Sequence, residues 1–324
     1  MSAISLDDID RAADRIRGIA VRTPLVDVTH HVDRSLRLKC ENLQVAGAFK
    51  IRGAYNKVAD LSAETRRQGV ITYSSGNHAQ AVAYAARVVG IPAVVVMPTT
   101  APAIKVEGTR ACGAEVLFEG TTSVERQARA ESEASRRGLV VIPPFDDPMI
   151  IAGQGTVGRE ILEDAPSAER VYVPIGGGGL VSGIAAAIKL SRPSTKVIGV
   201  EPVGAACMAA SRRAGHPVTL DSTASVADGL LPVRPGDLTY EHVDRFVDDL
   251  VTVQDEAIER AVAWLFRRAK LVVEPSGAAT VAAVLSDAAS DHPGVTVAVL
   301  SGGNVSSSAL CELLARNAAT DLFR

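Results

Sequence analysis

Four successive glycines, Gly176, Gly177, Gly178 and Gly179, follow an apolar run at 171–175 and open directly into a helical pattern beginning at Leu180. Residues without a Cβ let the backbone curl and aim several N–H groups at one anion, and a helix dipole behind them adds to the attraction. A phosphate is the natural guest. A tight strand-to-helix turn accounts for one or two glycines, but four carry an entropic cost that a turn does not require. A dinucleotide phosphate fits less well. Gly177-x-Gly179 is followed by Ser182 where GxGxxG has its third glycine, although Glu201 ends the next apolar run near where a ribose-binding acid would stand. A nucleotide-binding module is therefore the competing reading.

A second stretch runs Gly47-Ala48-Phe49-Lys50-Ile51-Arg52-Gly53-Ala54. Most lysines are solvated surface charges. Lys50, however, lies between an aromatic and an apolar residue at the start of a helical pattern. Desolvated there, its amine would lose basicity and could form a Schiff base. A third, Ser74-Ser75-Gly76-Asn77-His78, joins a β-branched run to a helix. Such a polar turn can hold a carboxylate on its backbone N–H groups, and Ser75 can also serve simply as an N-cap. His78 alone reads as a structural histidine. The fourth, Ser301-Gly302-Gly303-Asn304, is another small polar turn after an apolar run, where ligands gather in open α/β sheets.

These turns need rigid elements behind them. Short β-branched runs at 70–73, 93–97, 115–118, 139–142, 171–175, 196–200 and 295–300 predict strands, several of them buried on both faces. Helical stretches at 77–89, 123–137, 151–162, 180–190 and 254–268 lie between them. This alternation predicts α/β architecture with parallel sheets. So many strands imply two sheets. Residues 215–237, rich in Pro, Gly and Ser, form the longest weakly patterned stretch.

The chain has 324 residues, 47% hydrophobic and 22% charged, so it can bury a sizeable core without staples. A net charge of −3 and an aromatic content of 4% argue against nucleic acid as a partner. No apolar run reaches the ~20 residues of a membrane span, and the acidic N-terminus is unlike a signal peptide. Cys40, Cys112, Cys207 and Cys311 form no CxxC pair and suit a reducing compartment. A cytoplasmic protein is expected. The histidines show no HExxH spacing, and there is no GxSxG elbow.

Together these stretches resemble the fold-type II pyridoxal-phosphate enzymes, specifically the threonine/serine dehydratase and serine racemase group. The resemblance covers nearly the whole chain. It adds Lys39 to Gln44, Pro144 to Pro148, Ala152 to Thr156 and Glu274 to Gly277, all in the family's order. Ala48 stands where serine is usual. The resemblance implies pyridoxal 5'-phosphate held covalently by Lys50, which would then act as base at Cα. Phe49 would pack on the ring and Asn77 would bond its phenolic oxygen. Gly176, Gly177, Gly178, Gly179 and Leu180 would cradle the phosphate, and Ser301 would face the pyridine nitrogen. Ser74, Ser75, Gly76, Asn77 and His78 would bind the substrate carboxylate.

The resemblance also implies two open parallel-sheet domains like those of the tryptophan synthase β chain. A small one at 69–146 would be inserted in a large one of 1–68 plus 147–324. A homodimer or higher homo-oligomer is expected. The implied reaction is β-elimination from a small β-hydroxy amino acid: L-threonine to 2-oxobutanoate, or L-serine to pyruvate, with ammonia. Ser75 also stands where the family's racemases place their second acid/base, so racemisation is the alternative, as is a dehydratase for hydroxyaspartate or phenylserine. A substrate-binding arginine of serine racemase falls at Glu125 here. In the racemases a divalent cation sits near the acid at Glu201, with a second acid at what is here Cys207. A thiol is a poor ligand for a hard cation, so little or no activation by Mg2+ or Ca2+ is expected and no metal site is assigned, with a monovalent cation as the alternative. The chain stops at Arg324, so an isoleucine-binding regulatory domain is not expected either.

Overall fold

A computed structural model describes residues 3–74, 76–101, 103–286 and 294–318. Ten strands form: β1 (Leu25–Asp27), β2 (Leu36–Cys40), β3 (Val70–Tyr73), β4 (Ala93–Met97), β5 (Glu115–Phe118), β6 (Val140–Val141), β7 (Ala168–Pro174), β8 (Lys196–Pro202), β9 (Asp249–Val253) and β10 (Val295–Leu300). They assemble into a six-stranded sheet of order β1-β2-β10-β7-β8-β9 and a four-stranded sheet of order β5-β4-β3-β6. Every pairing is parallel except that of β1 with β2. In sequence the smaller sheet falls between β2 and β7. Parallel strands carry their connections on the faces, which buries both sides. Four of the six residues of β10 are fully buried accordingly.

The helices are α1 (Leu6–Ile16), α2 (Lys50–Ala59), α3 (Ala63–Gln68), α4 (Asn77–Val89), α5 (Ala103–Ala111), α6 (Ser123–Arg137), α7 (Pro148–Asp164), α8 (Gly179–Ser191), α9 (Cys207–Ala214), α10 (Asp237–Phe246), α11 (Asp255–Trp264), α12 (Pro275–Leu285) and α13 (Ser307–Arg316). Side chains cap the N-termini of α1, α3, α6, α7 and α13, with full capping boxes at Ser5/Asp8 and Thr122/Glu125. The N-cap residues of α2, α4, α8 and α12 make no such bond. Helices α2, α4 and α8 begin at three of the four stretches singled out above, and α12 begins at Glu274 to Gly277; the fourth stretch, Ser301 to Asn304, precedes the capped α13. Helices α7 and α8 pack at backbone distance. A Cβ on Gly183 would stand 2.3 Å from the carbonyl oxygen of Ile151.

All seven runs expected as strands are strands. The structure adds β1, β2 and β9. Strand β2 was masked by Arg37 and Lys39, and β9 is an edge strand with exposed residues. Helix α11 stops at Trp264 and passes into a π-helical turn over Leu265–Ala269, after which Lys270 adopts φ 60°. The weakly patterned stretch at 215–237 contains one 3-10 turn, Asp228–Leu230, with Leu230 packed in the larger sheet's core.

Lys39 is fully buried because it belongs to an ion network. Its Nζ donates to Glu160 Oε2 at 2.6 Å and to the Thr23 carbonyl at 2.7 Å. Arg52, also buried, donates to both oxygens of Glu41 at 2.8 Å each and to those of Glu160 at 2.7 and 2.9 Å. Two cations and two anions cancel, so the group is neutral in the low-dielectric interior. Burial would raise the Glu41 carboxyl, but the charge and hydrogen bonds of Arg52 outweigh it and hold it below the usual range. Its contribution to stability is thus present at neutral pH and is lost only as acid drives the pH down through that lowered value. Arg52→Ala would strand Glu41 and is expected to cost about 3–5 kcal/mol, read from the urea unfolding curve. The exposed Arg159→Ala should stay within about 1 kcal/mol. Equal effects would mean the buried network has no special weight.

Candidate active site

The loops after β2, β3, β7 and β10 gather at the carboxyl ends of the parallel strands. The turn after β10 is stapled to the lysine stretch. Ala48 bridges Gly302, the Phe49 N–H donates to the Ser301 carbonyl at 3.1 Å, and the Gly303 N–H donates to the Gly47 carbonyl at 2.9 Å. Asn304 Nδ2 donates both to the Ala46 carbonyl and to Asn77 Oδ1, each at 2.8 Å. Asn304 thereby ties three of the four stretches together.

Lys50 is the first residue of α2. Its Nζ donates to the Pro144 carbonyl at 2.7 Å and lies 5.1 Å from the centroid of the Phe49 ring. Burial lowers its ammonium from 10.5 to about 8. A carbonyl gives the charge only a dipole, so desolvation is not offset, and the amine is far more easily deprotonated than a surface lysine. Phe49 is partly buried, packed against the core of the larger sheet.

In the loop before α4, Ser74 Oγ accepts from the Gly76 N–H at 3.3 Å. Ser75 lies outside the described residues. Asn77 Nδ2 donates one hydrogen to Glu274 Oε1 at 2.6 Å, leaving its second N–H for another acceptor. Burial and the charge of Asp228 raise Glu274 to about 7. His78 is buried with Nε2 3.1 Å from the Ile142 carbonyl. Burial, and then the Lys50 charge, push it down to about 3, so it stays neutral at physiological pH and is a core histidine near Lys50.

At the tetraglycine loop, no described residue accepts from the amides of Gly176, Gly177 or Gly178. Phe145 lies across the loop. A Cβ on Gly177 would meet its ring at 2.2 Å, and Gly178 turns with φ +98°. Phe145 follows Pro144, the partner of Lys50, so one dipeptide places the lysine and the loop side by side. Free amides, an uncapped α8 and a nearby lysine of lowered basicity are what a phosphate-bearing carbonyl compound requires. Ser301 is buried, and its Oγ donates to the Ser276 carbonyl at a long 3.5 Å, leaving the hydroxyl free to turn to a ring nitrogen. These residues fit pyridoxal phosphate.

Glu201 does other work. Its two oxygens accept from the Met208 and Ala209 N–H groups at 2.8 Å each, capping α9. The buried Cys207 thiol is pushed up to about 12 by desolvation. Such donors do not suit a hard divalent cation. Glu125 accepts from the Thr121 and Thr122 amides as the cap of α6. Residue-type reasoning missed the roles of Pro144, Phe145, Glu274 and Asn304. Their signal was their place in motifs, with no chemistry legible in the residues themselves.

Comparison with known proteins agrees. The family model described as pyridoxal-phosphate dependent enzyme matches residues 16–302. An L-threonine ammonia-lyase of Thermotoga maritima is 46% identical over 306 residues, 93% of this chain and 76% of that one. The catabolic L-threonine dehydratase of Escherichia coli is 41% identical over 315 residues, 96% of each chain. The structure of maize serine racemase matches with a TM-score of 0.92 at 41% identity, covering 98% of both chains. What the lysine and the tetraglycine loop imply chemically is thus what the whole chain implies by likeness: it belongs to the pyridoxal-phosphate dependent enzyme family.

Proposed function

We propose that this enzyme is a lyase that removes the β-hydroxyl of a small amino acid, converting L-threonine to 2-oxobutanoate or L-serine to pyruvate, with ammonia. The observation that carries the chemistry is Lys50, a buried amine lowered to about 8 whose hydrogen-bond partner among the described residues is a carbonyl. The substrate class rests on likeness to the Thermotoga and Escherichia enzymes. Pyridoxal phosphate, when bound, supplies the electron sink that acidifies the substrate Cα. Lys50 would hold it covalently, and its freed Nζ would take the Cα proton. The amides of Gly176 to Leu180 hold the phosphate. Asn77 offers its remaining N–H to the ring oxygen. Ser301, a neutral hydroxyl, meets the ring nitrogen without charging it, which favours prompt loss of the β-hydroxyl. The loop 74–78 takes the substrate carboxylate.

Likeness to maize serine racemase supports racemisation as the second reading. Against it, Glu125 caps a helix where the racemase group has a substrate-binding arginine. The segment 69–146, which holds the whole smaller sheet, is proposed to close over the substrate and exclude water. Ile51, Ala54 and Val58 of α2 pack into that sheet's core. A homo-oligomer in the cytoplasm is the proposed setting, supported by four free cysteines. Among the described residues no helix is long and apolar enough to cross a membrane.

Four outcomes test this reading. Because only the neutral amine attacks the aldehyde, loading of the stripped protein should rise about tenfold per pH unit and level off near 8, where Lys50 titrates. A plateau nearer the ordinary lysine value would mean an unperturbed amine. The visible band that forms should be fixed onto Lys50 by borohydride. A panel of L- and D-hydroxy amino acids, scored for oxo-acid and enantiomer together, should give oxo-acid first. Faster appearance of enantiomer would overturn the lyase assignment, and Lys50→Ala should abolish both. A chelator should leave activity within about twofold, given the oxygen-poor surroundings of Glu201. A larger loss reversed by Mg2+ would refute that.

A further inference from the structure

Lys105 stands in the first turn of α5 with its ammonium beside the substrate loop. A Cβ added to Gly76 would lie 3.7 Å from Lys105 Nζ. Helix α5 is held there by Val106, buried in the smaller sheet's core, and by Gly108, which lies against Gln80 of α4. On its other side Nζ donates to Asp228 Oδ2 at 2.6 Å. Asp228 opens the 3-10 turn that belongs to the larger sheet. There Leu230 is in the core and the Gly229 N–H donates to Ser276 Oγ at 2.8 Å. A cation carried by one sheet's elements is thus held beside the loop by an anion carried by the other's.

As an anchor the pair is poor. The Asp228 side chain is 56% exposed and that of Lys105 17%, and an ion pair with one partner in water contributes little. Its position is better suited to binding. An amino-acid carboxylate seated at the N-terminus of α4, beside Gly76, meets backbone amides but needs a full positive charge to match its own. The nearby Lys50 is committed to the cofactor. Glu125 is turned away as a helix cap, so no arginine arrives from that position. A carboxylate bound between the loop and Lys105 would be shielded from water, and there a charge-assisted bond is stronger than one to a half-solvated aspartate.

We propose that Lys105 binds the substrate carboxylate and that Asp228 is its resting partner, released when an amino acid enters. This rests on the reading of the site as an amino-acid lyase. The test uses the holoenzyme and the variants Lys105→Met, Lys105→Arg and Asp228→Asn. Two readouts are needed: steady-state rates with L-threonine, and spectral titration of the bound cofactor with L-serine and with ethanolamine, which lacks the carboxylate. Lys105→Met should raise the KM and the spectral Kd for the amino acids about tenfold or more, the loss of one charge-assisted bond. The kcat should change less, and ethanolamine binding should not change. Lys105→Arg should restore part of the affinity.

Asp228→Asn should not weaken amino-acid binding, because it frees the ammonium from its competitor. A purely structural bridge predicts the opposite, with both neutral variants weakening amino acid and ethanolamine alike, and that result would overturn the proposal. So would a change of less than about threefold with Lys105→Met, too small for a lost charge-assisted bond. If the wild-type enzyme turns over no hydroxy amino acid, the lyase reading fails. The serine and ethanolamine titrations still report on Lys105 in that case.

Discussion

Arg52 is two residues beyond Lys50, and the placement of the site depends on the ion network that Arg52 makes. Its guanidinium reaches Glu41 in the turn after β2 and Glu160 on α7, while Lys39 of β2 reaches the same Glu160. A charge buried alone would cost several kcal/mol. The group is therefore stable only when β2, the turn, α2 and α7 are all in place. That condition fixes where α2 starts. The start of α2 is Lys50.

The same logic orders the other loops. Asn304 reaches Ala46 and Asn77, and Glu274 reaches Asn77. The side-chain bonds of these groups reach partners at least 197 residues away in sequence. The turn after the last strand thus registers the lysine stretch against the loop that opens α4. Backbone bonds between Ser301–Gly303 and Gly47–Phe49 hold that register. A shift of the turn would move Ser301, Lys50 and Asn77 together. The proposed chemistry needs them fixed relative to one another more than it needs any one of them fixed in space.

Much of this was legible in the sequence because it is local. Four adjacent glycines before a helix, a lysine among apolar residues, and strands apolar on both faces are patterns within ten residues. What was hidden is long-range. Lys39 looks like a surface lysine until Glu160 is brought to it. Helix α12 has no polar face to give a period, since nine of its eleven residues are buried. Glu274 gains its raised pKa from burial and from Asp228, neither of which is visible in Glu274-Pro275-Ser276-Gly277. His78 could be weighed only as core or catalyst. Its bond to the Ile142 carbonyl places it in the core.

The uncapped helices show how stability is exchanged for binding. The N-cap residues of α2, α4, α8 and α12 leave first-turn N–H groups without a side-chain acceptor, whereas N-cap side chains close α1, α3, α6, α7 and α13, and Glu201 and Asp146 cap α9 and α10; α11 also lacks an N-cap side-chain bond. A missing cap costs about 0.5–2 kcal/mol, so leaving both α4 and α8 open is a concession of that order at each. The concession is recovered when anions occupy those N-termini, because a ligand that binds only the folded state adds its binding free energy to stability. Two anionic groups are proposed to do so, the cofactor phosphate at α8 and the substrate carboxylate at α4. A side chain that capped α8 or α4 would stabilise the free protein and compete with the ligand for the same N–H groups. Glycine at both N-caps, Gly178 and Gly76, leaves them open.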